Sequence, residues 1–380
     1  MIGVIADDLT GAAEIGAVGL RHGLQAEVLL ADEPPDHVDL VCLDTDSRSC
    51  APSEAAERAA SAARRLRQRR VEWLYKKTDS LLRGNVTPEI EAIVLELGLT
   101  GALLIPANPS HGRTIVDGQY YVRRQLIHQT EFAHDLEYPR RTPNVLELCG
   151  TPSTLIRSVG KPSAPLPESG FIIGEAASLH DLRCWGMRRR ENWLMAGGAE
   201  FFGALLKPAA PLPQGQPVPG KELFVCGSAS DATRKFVADQ AQFGVPVVSL
   251  PERMARLGSL EPAEVIALSD QAVLALRRRS RAILAVGLPQ VQEATQGRML
   301  AEQLVRVAKA VLRRIKLGHV FVEGGATAVA LARRMGWTRL KVLAELAPGV
   351  VDLSVTDGRS QLVLTIKPGS YAWPIFLRHA

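Results

Sequence analysis

Much of what would place this 380-residue chain in a common class is missing from it. No apolar run reaches about 18 residues, which excludes a membrane-spanning helix. No Walker A pattern (GxxxxGK followed by Ser or Thr) occurs, and no GxGxxG follows a strand candidate, so neither the P-loop nor the usual dinucleotide fingerprint is present. HExxH and GxSxG are absent too, which removes the zinc-protease helix and the hydrolase nucleophile elbow. The five cysteines (Cys42, Cys50, Cys149, Cys184, Cys226) are scattered without CxxC spacing. That argues against a zinc ribbon or a disulfide framework and for a reducing, cytoplasmic setting. Asp7 and Asp8 interrupt the apolar start, so no secretory signal is expected. Aromatic residues are only 5% and none interleaves with the Arg-rich runs at 64–70 and 277–281. Those runs read as solvated helix faces rather than a stacking platform for nucleic acid.

What is present is an ordinary globular composition, 46% hydrophobic and 22% charged, with length enough for two domains. Forty-five Lys and Arg against 40 Asp and Glu leave a net charge of +5. That balance admits an anionic polymer, a membrane surface or a small anionic substrate, and the placement of the charges has to decide.

Short apolar runs alternate with helix-like segments. Strands are expected at 2–6, 27–30, 38–44, 73–77, 102–107, 171–174 and 192–198, with helices at 9–22, 53–70 and 88–97. Residues 207–220 then hold five prolines and no periodicity, which reads as a linker. After it, strands are expected at 223–227, 246–250, 282–287, 319–325 and 361–369, with helices at 297–316 and 326–335. The reading is two α/β domains with largely parallel sheets, 1–205 and 221–380, joined by 206–220. Ligand sites are expected at the carboxyl ends of the strands and in the cleft between the domains.

Charge gathers where the first domain's strands end. Asp7 and Asp8 follow the first strand; one would serve as a helix N-cap, and two exceed what a cap needs. Arg48 follows the strand ending near Asp44. Lys77, Asp79, Ser80 and Arg83 crowd the end of 73–77, and Arg113 lies in a Pro/Gly-rich loop after 102–107. Each segment alone reads equally well as a solvated loop. Together they line one rim with cations and carboxylates, suited to a small polar anion whose hydroxyl must lose a proton. In the second domain Ser228 in GSAS, Gly324 and Gly325 in EGGATA, and Gly369 in KPGS follow strand candidates. Small residues at helix N-termini make anion sites; three such loops read as a nucleotide phosphate cradle, each alone as tight packing.

These motifs, in this order and across nearly the whole chain, resemble the four-carbon acid sugar kinase family: ADDLTGA (6–12), DSRS (46–49), KKTDSLLRG (76–84), PANPSHGRT (106–114), GSAS (227–230), EGGATA (323–328), PG (348–349) and KPGS (367–370). The resemblance implies a sugar-acid-binding N-terminal domain, a nucleotide-binding C-terminal domain, and phosphorylation of D-threonate, D-erythronate or 3-oxo-tetronate by ATP with Mg²⁺. It implies that Asp7, Arg48, Lys77, Asp79 and Arg83 contact the sugar acid, with Arg113 added from the loop reading. It implies that Ser228, the segment Gly324, Gly325, Ala326, Thr327, and Gly369 contact ATP. Asp7, Asp8 and Asp79 are the candidate proton acceptors, Asp7 favoured, and no residue is assigned to metal. Many members carry an acid where this chain has Ala326, which keeps a non-catalytic, degenerate kinase as an alternative; an NAD-linked hydroxy-acid oxidoreductase is the other. A homodimer is left open, and neither nucleic acid nor membrane is expected as partner.

Overall fold

A computed structural model describes every residue except Asp36, Arg70, Leu136, 151–154, Ile156, 212–218, Ala229, 256–257, 288–293, 357–360, Ser370 and 379–380. The chain divides into two compact units, Met1–Leu212 and Pro213–Ala380. The division falls inside the Pro-rich segment, of which 212–218 lie outside the described residues.

In the first unit the chain runs β1 (Ile2–Ala6), α1 (Leu9–Arg21), β2 (Ala26–Leu29), β3 (Leu40–Asp44), α2 (Pro52–Gln68), β4 (Trp73–Lys77), α3 (Val86–Leu97) and β5 (Gly101–Ile105). A small antiparallel sheet follows, β6 (Arg113–Val116), β7 (Gln119–Val122) and β8 (Gln125–Leu126). The unit closes with α4 (Val145–Leu148), β9 (Arg157–Gly160), β10 (Gly170–Gly174), α5 (Leu179–Gly186), β11 (Trp193–Gly197) and α6 (Ala199–Leu205). The large sheet has the order β2-β3-β1-β4-β11-β5-β10-β9, and every pairing in it is parallel. A parallel sheet is covered on both faces, which is why β1, β3, β5, β10 and β11 are buried at every position.

Strand order decides where the loops meet. The chain leaves β1 on one side through β3 and returns on the other through β4, so the order reverses around β1. The register makes the three ends level: Ala6 lies opposite Asp44 on one side and Lys77 on the other. The loops after β1, β3 and β4 therefore emerge together at the switch point, where open α/β sheets bind ligands.

The second unit runs β12 (Glu222–Cys226), α7 (Asp231–Gln242), β13 (Val247–Ser249), α8 (Pro262–Arg278), β14 (Arg281–Ala285), α9 (Ala294–Leu312), β15 (His319–Glu323), α10 (Gly325–Met335), β16 (Arg339–Ala347), β17 (Val350–Thr356), β18 (Gln361–Lys367) and α11 (Ile375–Arg378). Its strand order is β13-β14-β12-β15-β18-β17-β16. The first five are parallel to one another, and β17 and β16 extend the sheet antiparallel. Cys226, Glu323 and Lys367 end β12, β15 and β18 on one level. No helix among the described residues is long and apolar enough to cross a membrane.

Candidate functional site

The sequence-expected residues of the first unit meet at those level strand ends. Asp8 is the N-cap of α1 and accepts the Gly11 N–H at 2.8 Å and the Thr10 hydroxyl at 2.5 Å. Asp7, one residue earlier, is left free of capping and buried. Arg48 reaches both acids. Its Nε and Nη2 donate to the two oxygens of Asp7 at 2.7 and 3.0 Å, and its Nη1 donates to Asp8 at 2.8 Å. The loop carrying Arg48 is anchored to the first strand end, because the Ser47 and Arg48 amides both donate to the Asp7 carbonyl, at 3.0 and 3.2 Å.

Asp79 forms the matching fork with Arg83: Nε and Nη2 donate to its two oxygens at 2.9 Å each, and the Leu81 and Arg83 amides add further bonds. Arg83 Nη1 also reaches Asp135 at 3.4 Å. Gly84 between the two forks has φ +88°, and a Cβ there would press on Arg48 Cγ at 3.1 Å and Asp7 Oδ2 at 3.4 Å. Glycine satisfies both demands at once.

Lys76 and Lys77 show how a strand sorts charge. Successive side chains point to opposite faces. Lys76 meets Glu89 of α3 at 2.5 Å, fully buried, and the second Glu89 oxygen takes the Ser47 hydroxyl at 2.6 Å. Lys77 turns to the other face and meets Glu14 of α1 at 3.1 Å. Arg113, carried on β6, donates to the Ser80 hydroxyl; among the described residues it makes no ion pair.

Burial and neighbouring charge oppose each other here, and charge wins at the two forks. Burial pushes the Asp7 carboxyl up, but Arg48, Lys76 and Lys77 together hold it below the usual range. Burial likewise acts on Asp79, and Arg83, Arg48 and Arg113 overcome it, holding that carboxyl well below the usual range. Burial lowers Lys77, and Glu14, Asp8 and Asp7 raise it above its ordinary value. Behind the rim the order is reversed: burial raises Glu89 more than Lys76 lowers it. Two acids fixed as anions and cations fixed by forks make a preorganised field for a small polar ion.

The structure thus brings Asp7, Asp8, Arg48, Lys77, Asp79, Arg83 and Arg113 to one rim. It differs from the expectation in one respect. The forks of Arg48 and Arg83 close on the protein's own aspartates, and Arg113 is the cation without a carboxylate partner among the described residues. Glu14, Glu89 and Asp135 were missed in the sequence, since helix α1, helix α3 and a loop bring them in from afar; nothing in the local pattern marks them. A cavity of about 560 Å³ lies elsewhere in this unit, against Trp73 and Trp193 at the amino ends of β4 and β11.

In the second unit the glycine loops again follow level strand ends. Gly324 has φ +94° and its N–H donates to the Lys367 carbonyl at 2.8 Å. It opens α10, and among the described residues no side chain caps that helix. The first-turn amides, at Gly325, Ala326 and Thr327, are the unsatisfied donors every helix start leaves, and the helix dipole adds partial positive charge there. Helix α7 is different: the Ser230 hydroxyl accepts the Thr233 amide at 3.3 Å, so this helix supplies part of its own cap. Gly227 lies so close to Thr327 that a Cβ would come within 2.0 Å of its Oγ1. The Thr327 side chain is therefore packed inward against the β12 loop. A Cβ on Gly369 would have Ser228 Oγ as its nearest neighbour, at 4.0 Å, which puts these two expected residues side by side. Ala229 and Ser370, which complete the two motifs, lie outside the described residues. Among the described residues, no group of three or more His, Cys, Asp or Glu is placed to hold a metal ion.

Comparison with known proteins matches a different family within each unit. A family described as a sugar-binding N-terminal domain matches residues 2–165, and one described as a nucleotide-binding C-terminal domain matches 223–371. The whole chain is 27% identical to a 3-oxo-tetronate kinase of Pseudomonas fluorescens, covering 96% of that relative. A D-threonate kinase of Salmonella typhimurium is 26% identical over 91% of this chain and 89% of its own. A D-erythronate kinase of Heliobacterium modesticaldum is 28% identical over 91% of this chain and 88% of its own. A crystal structure from Salmonella typhimurium shares the fold at a TM-score of 0.79 and 21% identity, covering 99% of this chain and 98% of that one. Another from Haemophilus influenzae does so at 0.74 and 20%, covering 97% of each.

Proposed function

This chain belongs to the four-carbon acid sugar kinase family, and from that membership we propose that it transfers the γ-phosphoryl group of ATP to a hydroxyl of a sugar acid of the threonate, erythronate or 3-oxo-tetronate type. The observation that carries the reading is the pair of aspartate–arginine forks level with Arg113 at the switch point of the unit matched as sugar-binding.

Each residue then has a task. Arg113 captures the substrate carboxylate, because among the described residues its guanidinium is in ion-pair contact with no acid. Arg48 and Arg83 are held in place by Asp7 and Asp79 and present their remaining N–H groups to the substrate. When the substrate takes over part of the Arg48 fork, an Asp7 oxygen is released to accept the hydroxyl proton; Asp8, also bonded to Arg48, is the alternative acceptor. Lys77 keeps positive charge beside both acids. Phosphoryl transfer asks mainly for positioning and charge stabilisation, which such a rim supplies.

The glycine turns of the second unit fit a polyphosphate: a helix start whose N-cap, Gly324, has no side chain to cap it, Gly369 leaving room for the backbone to approach, and Gly227 letting Thr327 pack close behind. Gly325, Ala326 and Thr327 would hold it through their amides, with Ser228 alongside. Bound ATP supplies the phosphoryl group. The chain offers no ligand cluster of its own for Mg²⁺ among the described residues, so the ion is proposed to arrive on the phosphates and their waters, as that cation commonly does. The setting is the cytoplasm, where ATP is supplied.

An ADP-release screen over D-threonate, D-erythronate and 3-oxo-tetronate tests the proposal. One acid should give steady turnover dependent on ATP. Stabilisation by an acid without any ADP release would instead support the non-catalytic reading.

A further inference from the structure

The lysine of the KPGS motif stands where a phosphate ligand would be sought: at the end of a strand, before a glycine turn, in the unit matched as nucleotide-binding. Its side chain does something else. Lys367 is 1% exposed and points into the protein. Its ammonium has three donors to give, and three acceptors surround it: Glu323 Oε1 at 2.9 Å, the Pro368 carbonyl at 3.1 Å and the Tyr371 carbonyl. The cation also lies 5.2 Å from the centre of the Trp373 ring. No donor is left for a phosphate.

Each of those partners belongs to a different piece of the glycine-loop cluster. Glu323 is the last residue of β15, and its Oε1 also takes the Thr233 hydroxyl at 2.6 Å, which ties in the first turn of α7. The Lys367 carbonyl accepts the Gly324 N–H, fixing the turn that opens α10. Pro368 begins the turn to Gly369, and Tyr371 begins the segment that carries Trp373 into the core. One buried residue therefore joins the β15–α10 turn, the 368–369 turn, the 371–373 segment and α7.

We propose that Lys367 is a positioning residue of the nucleotide site: it sets the geometry of the amide cradle through Glu323, Gly324, Pro368, Gly369 and the 371–373 segment without touching the nucleotide. This rests on the nucleotide-binding reading of the second unit.

The test has to separate positioning from collapse. A single Lys367→Met leaves Glu323 buried and uncompensated, and such a change is strongly destabilising in its own right. The informative variant is the double Lys367→Met/Glu323→Gln, which removes both charges and keeps an acceptor for Thr233. It should fold with a cooperative thermal transition, raise KM for ATP at least about tenfold, and leave KM for the sugar acid within about twofold. Wild-type KM for ATP, or an equal rise in both constants, overturns the proposal. Hydrogen exchange supplies a readout that needs no turnover. The Gly324 amide, bonded to Lys367 O, and the Tyr371 amide, bonded to Pro368 O, should exchange at least about tenfold faster in the double variant. The β12–β14 ladder should keep its rates. Unchanged exchange at those two amides overturns the proposal as well. If the wild-type protein takes up no ATP, the kinase reading fails, and the exchange experiment still decides the role of Lys367.

Discussion

Asp7 and Asp79 occupy equivalent places, each a buried carboxylate gripped at both oxygens by one guanidinium, and their acidity follows from that grip. Both are held below the ordinary carboxylate range of about 4 because the surrounding cations together outweigh burial, with lysines contributing at Asp7. A carboxylate whose folded-state pKa is depressed stabilises the fold fully above its unfolded value, and that contribution is lost as pH falls through the folded value. Urea midpoints should therefore fall below about pH 4, and Asp79→Asn should flatten that fall. At pH 7 the same variant should lose about 2–5 kcal/mol, since Arg83 is left without its main partner. A fall of equal steepness in both proteins would dissociate Asp79 from the acid limb. For catalysis, Asp7→Ala and Arg83→Ala should each lower turnover at least about tenfold, some 1.4 kcal/mol of barrier. If neither does, the rim has been assigned to the wrong chemistry.

At the scale of elements, two glycines around α10 serve for different physical reasons, and substitution tells them apart. Gly227 lacks room: a Cβ would overlap Thr327 Oγ1 at 2.0 Å and meet its Cβ at 2.9 Å. Gly227→Ala should destabilise by about 1–3 kcal/mol through overpacking. Gly324 has room, the nearest atom to its notional Cβ being Thr327 Oγ1 at 3.6 Å, but its φ of +94° suits only glycine. Gly324→Ala should cost about 1–3 kcal/mol through backbone strain. Denaturant unfolding checks both, and a neutral Gly227→Ala would mean that α10 shifts freely against the β12 loop.

The parallel strands were legible for a plain reason. Runs such as IGVIA and ALLIP are buried on both faces, so hydrophobicity alone marks them. The antiparallel pieces were not read. The β6–β7 hairpin was signalled by Asp117–Gly118, whose φ angles of +47° and +72° suit a tight primed turn. The β16–β17 hairpin turns at Pro348–Gly349, and its first strand alternates exposed and buried residues at its start, a weaker signal than a continuous apolar run. At the rim, the residues carried by strand ends were visible in sequence because a strand end places charge by position. Glu14 and Glu89 were not, because a helix packed across the sheet brings them in.

For the whole molecule, a net charge of +5 points equally to a polymer and to a small anion, so placement carries the argument. The Arg-rich face of α2 is occupied with surface pairs: Arg64 and Arg67 share Glu96, and Arg58 pairs with Glu54. Such pairs contribute little to stability, and among the described residues they take up much of the basic charge on that face. The proposed function divides the working charge between two separately built rims, one of side-chain forks and one of backbone amides. That division predicts a division of kinetic effects. Arg113→Ala in the first unit removes a cation from the sugar-acid rim, so it should raise KM for the sugar acid at least about tenfold while KM for ATP stays within about twofold. Gly324→Ala in the second unit alters the amide cradle and should do the reverse. The measurement is a pair of initial-rate series, each substrate varied at saturation of the other. Two variants that each shift both constants equally would mean that the rims do not act as separate sites. The opposite pattern, with Arg113→Ala affecting ATP alone, would reassign the first unit to the nucleotide.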